Sequence, residues 1–140
     1  MVSLVLEEAL KSYLLSQSGL TALIGQRYYP LSIPQGCSMP AVAYEKISGP
    51  RIHAFSADIG SYPRMEFTCY GETYPSVSAV FEQLRSALQD YLNTIMGGVG
   101  GLEVKAVLLQ DERDDFETDS KGNIIKYSKI ADFEIWYEEQ

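Results

Sequence analysis

Side chains suited to nucleophilic or transition-metal chemistry are scarce here: one histidine, His53, and two cysteines, Cys37 and Cys69. A Cys37–His53 pair would need thiol and imidazole within hydrogen-bond reach and a third group to orient the ring. The sequence offers no such third group, so the plain reading is a loop histidine and a half-buried cysteine. Cys69 alternates with Met65 and Phe67 along an apolar strand face, which makes it a core thiol. Two cysteines without metal-ligand spacing fit free thiols in a reducing cytoplasm.

Carboxylates are the other candidate chemistry. Asp111, Glu112, Asp114, Asp115, Glu117 and Asp119 crowd one segment, with Arg113 and Lys121 among them. Such groups can bind calcium or magnesium, or run acid–base steps. The spacing departs from the EF-hand loop: its sixth-position glycine, closing glutamate and flanking helices are missing. Three readings stay open. One is a solvated hairpin whose charges discourage edge pairing. The second is a metal- or ligand-binding segment over 111–119, and the third is an electrostatic contact with a basic partner. Gly97-Gly98-Val99-Gly100-Gly101 invites comparison with a phosphate-binding loop. It comes after a helical pattern, precedes a strand pattern and lacks the closing Lys-Ser or Lys-Thr, so a flexible connection is the better reading. No catalytic residue, cofactor or metal ligand is assigned, and the chain is expected not to be an enzyme.

What the chain has in abundance is tyrosine, ten in 140 residues. Tyrosine suits half-buried sheet faces and protein interfaces, because its ring packs while its hydroxyl stays wet. Arg27, Tyr28 and Tyr29 precede a proline-broken stretch and are contact candidates, since Arg and Tyr are enriched at binding hot spots. The alternative is that one tyrosine anchors the loop to the core. Trp136 alternates with Glu134 and Asp132, so it faces outward as a contact residue unless a bulge returns it to the core. A net charge of −8 repels phosphate backbones and anionic membranes, and no basic patch is visible. No signal peptide is read at the start, where Glu7 and Glu8 come directly after a short apolar run, and no apolar stretch reaches transmembrane length.

Hydrophobic periodicity gives the elements that would position these residues. Ser3 to Gln17 reads as a helix on Leu6, Leu10, Tyr13, Leu14 and Gln17, and Leu20 to Ile24 as one further turn. Pro30, Pro34, Gly36 and Pro40 keep the chain from Gln26 to Pro40 irregular, apart from a short extended piece at Arg27-Tyr28-Tyr29. Ala41–Ser48 and Ser61–Tyr70 read as strands separated by a long loop, Gly49–Gly60. Val77, Phe81, Leu84, Leu88, Tyr91 and Ile95 form one stripe of a second helix, opened by Pro75 and closed by Gly97-Gly98. Leu102–Leu109 and Ile124–Tyr137 read as strands, with Gln110–Asn123 between them as an open loop or a protruding hairpin. The expected fold is a single α+β domain over residues 1–140. Two helices pack on one face of a mostly antiparallel four-stranded sheet, in the order helix-strand-strand-helix-strand-strand.

The run Leu20–Pro30 (LTALIGQRYYP), continuing through Ile33-Pro34-Gln35-Gly36 and Met39-Pro40-Ala41-Val42-Ala43-Tyr44, resembles the opening of a tailed-phage family. Its members are called tail-terminator, tail-completion or tail-to-head joining proteins. The likeness continues through Val80–Leu92 and the paired C-terminal strands, so it covers nearly the whole chain. The resemblance implies a small α/β subunit of a hexameric ring that caps the tail tube and presents it to the head connector. The implied partners are further copies of itself, the tail tube protein and head–tail connector proteins. The implied place is the head-proximal end of the virion tail, after synthesis in the host cytoplasm. No cofactor is implied. By topology, Gly49–Gly60 and Gln110–Asn123 would project toward tube or neighbours. A closed ring uses two different surfaces of each subunit. Arg27, Arg64 and Arg113 would then donate to Glu112, Asp115 or Glu134 across neighbours, with Tyr28, Tyr29 and Trp136 as apolar contacts. A neck or head-completion adaptor, or another minor tail protein, is the alternative.

Overall fold

Apolar alternation and helical stripes resolve into three helices and eight strands among the residues described by a computed structural model. Those residues are 2–48, 51–53, 58–89, 92–96 and 102–137, with side chains over 6–47, 62–89 and 104–137. In chain order the elements are α1 (Val2–Leu15), α2 (Ser18–Ile24), β1 (Tyr28–Pro30), β2 (Ala41–Ser48), β3 (Arg51–His53), β4 (Asp58–Ser61), β5 (Arg64–Gly71), α3 (Tyr74–Leu88), β6 (Leu92–Met96), β7 (Leu102–Thr118) and β8 (Ile124–Tyr137).

The sheet differs from the four antiparallel strands and two helices expected. Its spine is a five-stranded mixed sheet, β1-β2-β5-β8-β7, in which β1 runs parallel to β2 and the other pairs are antiparallel. The parallel strand exists because Tyr28 is buried and stacks on Tyr44, ring centroids 4.8 Å apart, one strand over. One side chain ties the far end of its connection to β2 back to α2. Arg27 Nε donates to the Pro40 carbonyl at 2.8 Å and Nη2 to the Leu23 carbonyl at 3.0 Å.

The expected loop Gly49–Gly60 contains two short strands. β3 and β4 pair with each other, and β4 meets β8 through Ser61 and Tyr137. The segment between β4 and β5, Tyr62-Pro63, interrupts the ladder without leaving it, because the Ile135 amide donates to the Pro63 carbonyl at 3.0 Å. His53 lies in β3 and its side chain falls outside the described residues.

All three helices cover one sheet face. α1 buries Leu6, Ala9, Leu10 and Leu14, and α2 buries Leu20 and Ile24 before Gly25, at φ +60°, turns the chain. α3 begins where Thr73 accepts the Ser76 amide at 3.2 Å, with Pro75 in the first turn, and buries Val77, Val80, Phe81, Leu84 and Leu88. The expected continuation through Tyr91 and Ile95 fails: Gln89 is extended, and Leu92–Met96 pairs with β7. Thr94 and Ile95 are β-branched, and an available strand edge outweighs a weak helical preference. Tyr91 and the glycines of 97–101 lie outside the described residues. Facing the helices, β5 and β8 contribute Met65, Phe67, Cys69, Ala131, Phe133 and Ile135. Phe67 and Phe133 meet edge to face at 5.8 Å.

Candidate functional site

The sheet face turned away from the helices is polar, and strand register decides which of its side chains meet. Glu66 on β5 lies opposite Glu45 on β2 and opposite Asp132 on β8, and Asp132 lies opposite Asp111 on β7. Four carboxylates therefore stand in one row across four adjacent strands, about 4.8 Å from strand to strand. Like charges directly opposite one another destabilise a sheet, so the row needs compensation.

Arg113 supplies part of it. From β7 its guanidinium reaches over β8 to Glu66, with Nη2 to Oε2 at 3.1 Å, and stays near Asp111 at 3.8 Å. Asp132 lies on the strand it crosses. That carboxyl is only 7% exposed, and its Oδ1 accepts no hydrogen bond from any described residue. Burial first, then its hydrogen bond and charge contact with Glu66, push the Asp132 carboxyl above the usual carboxylate range, against the pull of Arg113 and Arg64. Asp132 thus holds its proton more tightly than a solvated carboxyl would.

Four residues along the strands from the acidic row, beyond the Arg64–Glu134 pair, lies an aromatic pair. Tyr62 and Trp136 stack with centroids 4.4 Å apart, and Trp136 Nε1 donates to Glu134 Oε1 at 2.6 Å. On the other side of the row the face dips into a groove of about 360 Å³. Thr68, Tyr70, Ser128 and Ile130 line it, with Leu31 and Phe116 among the residues at its margin. Leu31 is held at φ +66° and is 71% exposed, and Phe116 is 59% exposed.

The acidic segment is a hairpin arm. β7 and β8 pair from Val104–Tyr137 to Thr118–Ile124. Asp119 closes the turn, accepting the Lys121 and Asn123 amides at 2.8 and 3.0 Å, with Gly122 at φ +84°. Those backbone bonds hold the Asp119 carboxyl below its ordinary range. Strand alternation sends Asp111, Asp115 and Glu117 to the outer face and Glu112 and Asp114 to the other. Among the described residues no three His, Cys, Asp or Glu side chains are gathered to hold a metal. Asp114 ties the arm to α3, accepting from Lys129 Nζ at 2.8 Å and the Tyr74 hydroxyl at 2.9 Å.

Of the candidates named from sequence, Arg113, Asp115, Glu134, Arg64 and Trp136 share the outer face. Glu112 lies on the same strand as Arg113 but points the other way. Arg113 binds Glu66 and Asp111 within its own chain, and Asp115 accepts the amide of Phe116 at 2.8 Å. Arg27 holds backbone carbonyls, Tyr28 is core, and Tyr29 stands beside Cys37, hydroxyl to sulfur 3.7 Å. Sequence reasoning missed Glu45, Glu66, Asp111 and Asp132 as a set. The polar alternation of β5 and β8 was visible, but the register that aligns them was not.

No family model and no curated protein matches the chain. Among solved structures, the fold is similar to that of a chain in the virion of a native gene transfer agent particle. The TM-score is 0.68 at 12% sequence identity, covering 93% of this chain and 95% of that one.

Proposed function

We propose that this chain is a structural protein of a phage-like virion, and within that class a tail-terminator or tail-completion subunit. The observation that carries the broader reading is end-to-end agreement of fold with a chain of a gene transfer agent virion. The narrower reading draws on the sequence resemblance and on the architecture. A closed ring joins two unlike surfaces of each subunit. The sheet offers such a pair, since β1 and β6 each pair on one side only among the described residues. In this reading the subunits are soluble, close into a ring on the circular end of the tail tube, and present that ring to the head connector. The work is contact-making and uses no cofactor.

Light scattering over a wide concentration range, with negative-stain images of the same samples, tests ring formation. A six-subunit species with a central hole is expected, alone or on added tail tubes. Gold-labelled antibody on purified particles tests the position. Label at the head-proximal end of the tail supports the terminator reading, and label at the head–neck junction selects a neck adaptor instead. Particles without the protein would remove the virion reading altogether.

A further inference from the structure

We infer that the tip of the β7–β8 arm of one copy seats in the outer-face groove of a second copy, its two isoleucines entering the groove and Lys121 meeting the carboxylates at its border. This contact rests on the assembly reading in taking the occupant to be another subunit.

The groove suits an apolar group accompanied by a cation. Thr68, Tyr70, Ser128 and Ile130 line it, and Leu31 stands exposed at its margin. The Leu31 amide donates to the Tyr44 carbonyl at 2.7 Å, which helps hold this residue at φ +66°, a region leucine rarely adopts. Four carboxylates border the same groove, those of Glu45, Glu66, Asp115 and Glu117. Glu66 is bonded to Arg113 and Glu117 to Lys126, which leaves Glu45 and Asp115 with no cation partner among the described residues.

The arm tip, residues 118–125, has the matching chemistry. Ile124 and Ile125 are 47% and 50% exposed. A bulge gives β8 an extra residue there, so Ile125 has no partner on β7. Lys121 is exposed, while the carboxylate of Asp119, the only acid of the tip, accepts the Lys121 and Asn123 amides. The tip thus offers two apolar side chains and one cation, in a chain whose net charge is −8. It cannot turn back into its own groove. The ladder holds it straight as far as Thr118 and Ile124, and Phe116, Glu117 and Lys126 of the same arm already line the groove. Tip and groove are unlike surfaces, the kind of joint that a ring repeats. Two isoleucines and a lysine cover far less than the roughly 800 Å² a side of a standard interface, so one joint is weak and several closing together hold.

Sedimentation velocity of the full-length chain from about 1 μM to about 1 mM, with amide NMR of the isotope-labelled chain, spans an association that weak. The expected result is self-association that perturbs the amides of Thr68, Tyr70, Ser128 and Ile130 together with those of 121–125. Lys121→Glu and Ile124→Ser should each weaken it roughly ten-fold. Adding Glu45→Lys to Lys121→Glu should restore part of the loss, which a merely loosened arm would not allow. Labelled Lys121→Glu, with its groove intact, should respond at the groove amides when unlabelled Ile130→Glu, with its tip intact, is added. Three results would overturn the inference: a chain monomeric at about 1 mM, assembly undisturbed in both Lys121→Glu and Ile124→Ser, or groove amides unmoved in the mixture. Rings that form through other surfaces would sink this contact and leave the terminator reading standing. Tip-to-groove pairs that stop at two subunits would keep the contact and count against the ring alone.

Discussion

Replacing Asp114 with asparagine should release the outer half of the β7–β8 arm from the helical layer while leaving the core folded. Asp114 accepts from Lys129 on one oxygen and from the Tyr74 hydroxyl on the other, at 2.8 and 2.9 Å. Lys129 lies over the rings of Tyr74 and Phe81, 4.9 and 5.6 Å from their centroids, and Tyr74 meets Tyr127 edge to face at 6.0 Å. The carboxylate is about half exposed and the lysine about one-fifth. Solvent screening therefore limits the ion pair to about 0.5 kcal/mol, and the tyrosine bond adds a similar amount, about 0.5 kcal/mol. A loss of about 1 kcal/mol makes local opening roughly five-fold more frequent. Amide hydrogen exchange should show that acceleration in peptides spanning the arm and not in those from β5 or α3.

The effect should depend on pH in a defined sense. Lys129 first, then Tyr74, hold the Asp114 carboxyl below its ordinary range. The native state therefore binds this proton less tightly than the unfolded chain. The contribution is present above the unfolded value of about 3.9 and is lost as pH falls through the folded value. Wild type and Asp114→Asn should converge in acid. Equal arm exchange in the two proteins at neutral pH would refute the argument that this cluster pins the arm.

Other substitutions probe the remaining surfaces. Asp132→Asn should stabilise the fold relative to wild type increasingly as pH rises above about 4, because a carboxyl with a raised folded pKa favours folding only while protonated; urea titrations at several pH values would check it. Phe133→Ala should cost about 3–5 kcal/mol in the same assay, since Phe133 is fully buried against Phe67. Burial pushes the Cys69 thiol up to about 12, so an aromatic disulfide reagent at mildly alkaline pH should label Cys69 only after denaturant is added. Leu31→Gly should leave stability within about 1 kcal/mol, because relief of the left-handed backbone offsets the added freedom of glycine. Impaired assembly in that variant would then report the lost side chain at the groove margin.

Local pattern made much of this architecture legible. Strict alternation in 64–70 places Met65, Phe67 and Cys69 inward, and Ala41–Ser48 and Ile124–Tyr137 form strands at the boundaries expected. What escaped was set by partners distant in sequence. The stripe that ran past Leu88 to Ile95 has a helical period, yet β7 captures residues 92–96, and nothing local announces that competition. The short extended piece expected at Arg27-Tyr28-Tyr29 is β1, one residue along, but its parallel pairing with β2, set by Tyr28 against Tyr44, has no local period to announce it. The glycines of 97–101 and the side chain of His53 lie outside the described residues, so those expectations stand where the sequence left them.

The acidic row makes the same argument at the level of function. Glu45, Glu66, Asp111 and Asp132 stand on four different strands, and only Asp111 belongs to the acidic cluster that the sequence displays. The conspicuous cluster, 111–119, is divided between two faces by the two-residue period of the strand, while register brings one of its members, Asp111, into line with Glu45, Glu66 and Asp132. The bulges in the β7–β8 ladder matter here. One falls between Leu109 and Asp111, and it brings Asp111, rather than Gln110, opposite Asp132. Deleting Gln110 removes the extra residue of that bulge. Either the arm beyond it shifts by one position and turns Asp111 and Arg113 to the helical side, or the bulge disappears and the row survives. In the first case Arg113 can no longer cross β8 to Glu66, and Asp132 becomes solvated and titrates near an ordinary carboxylate. In the second case its titration is unchanged. Carboxyl NMR of the deletion variant distinguishes them, and an unchanged Asp132 in a protein whose arm has shifted would show that Arg113 does not create its burial.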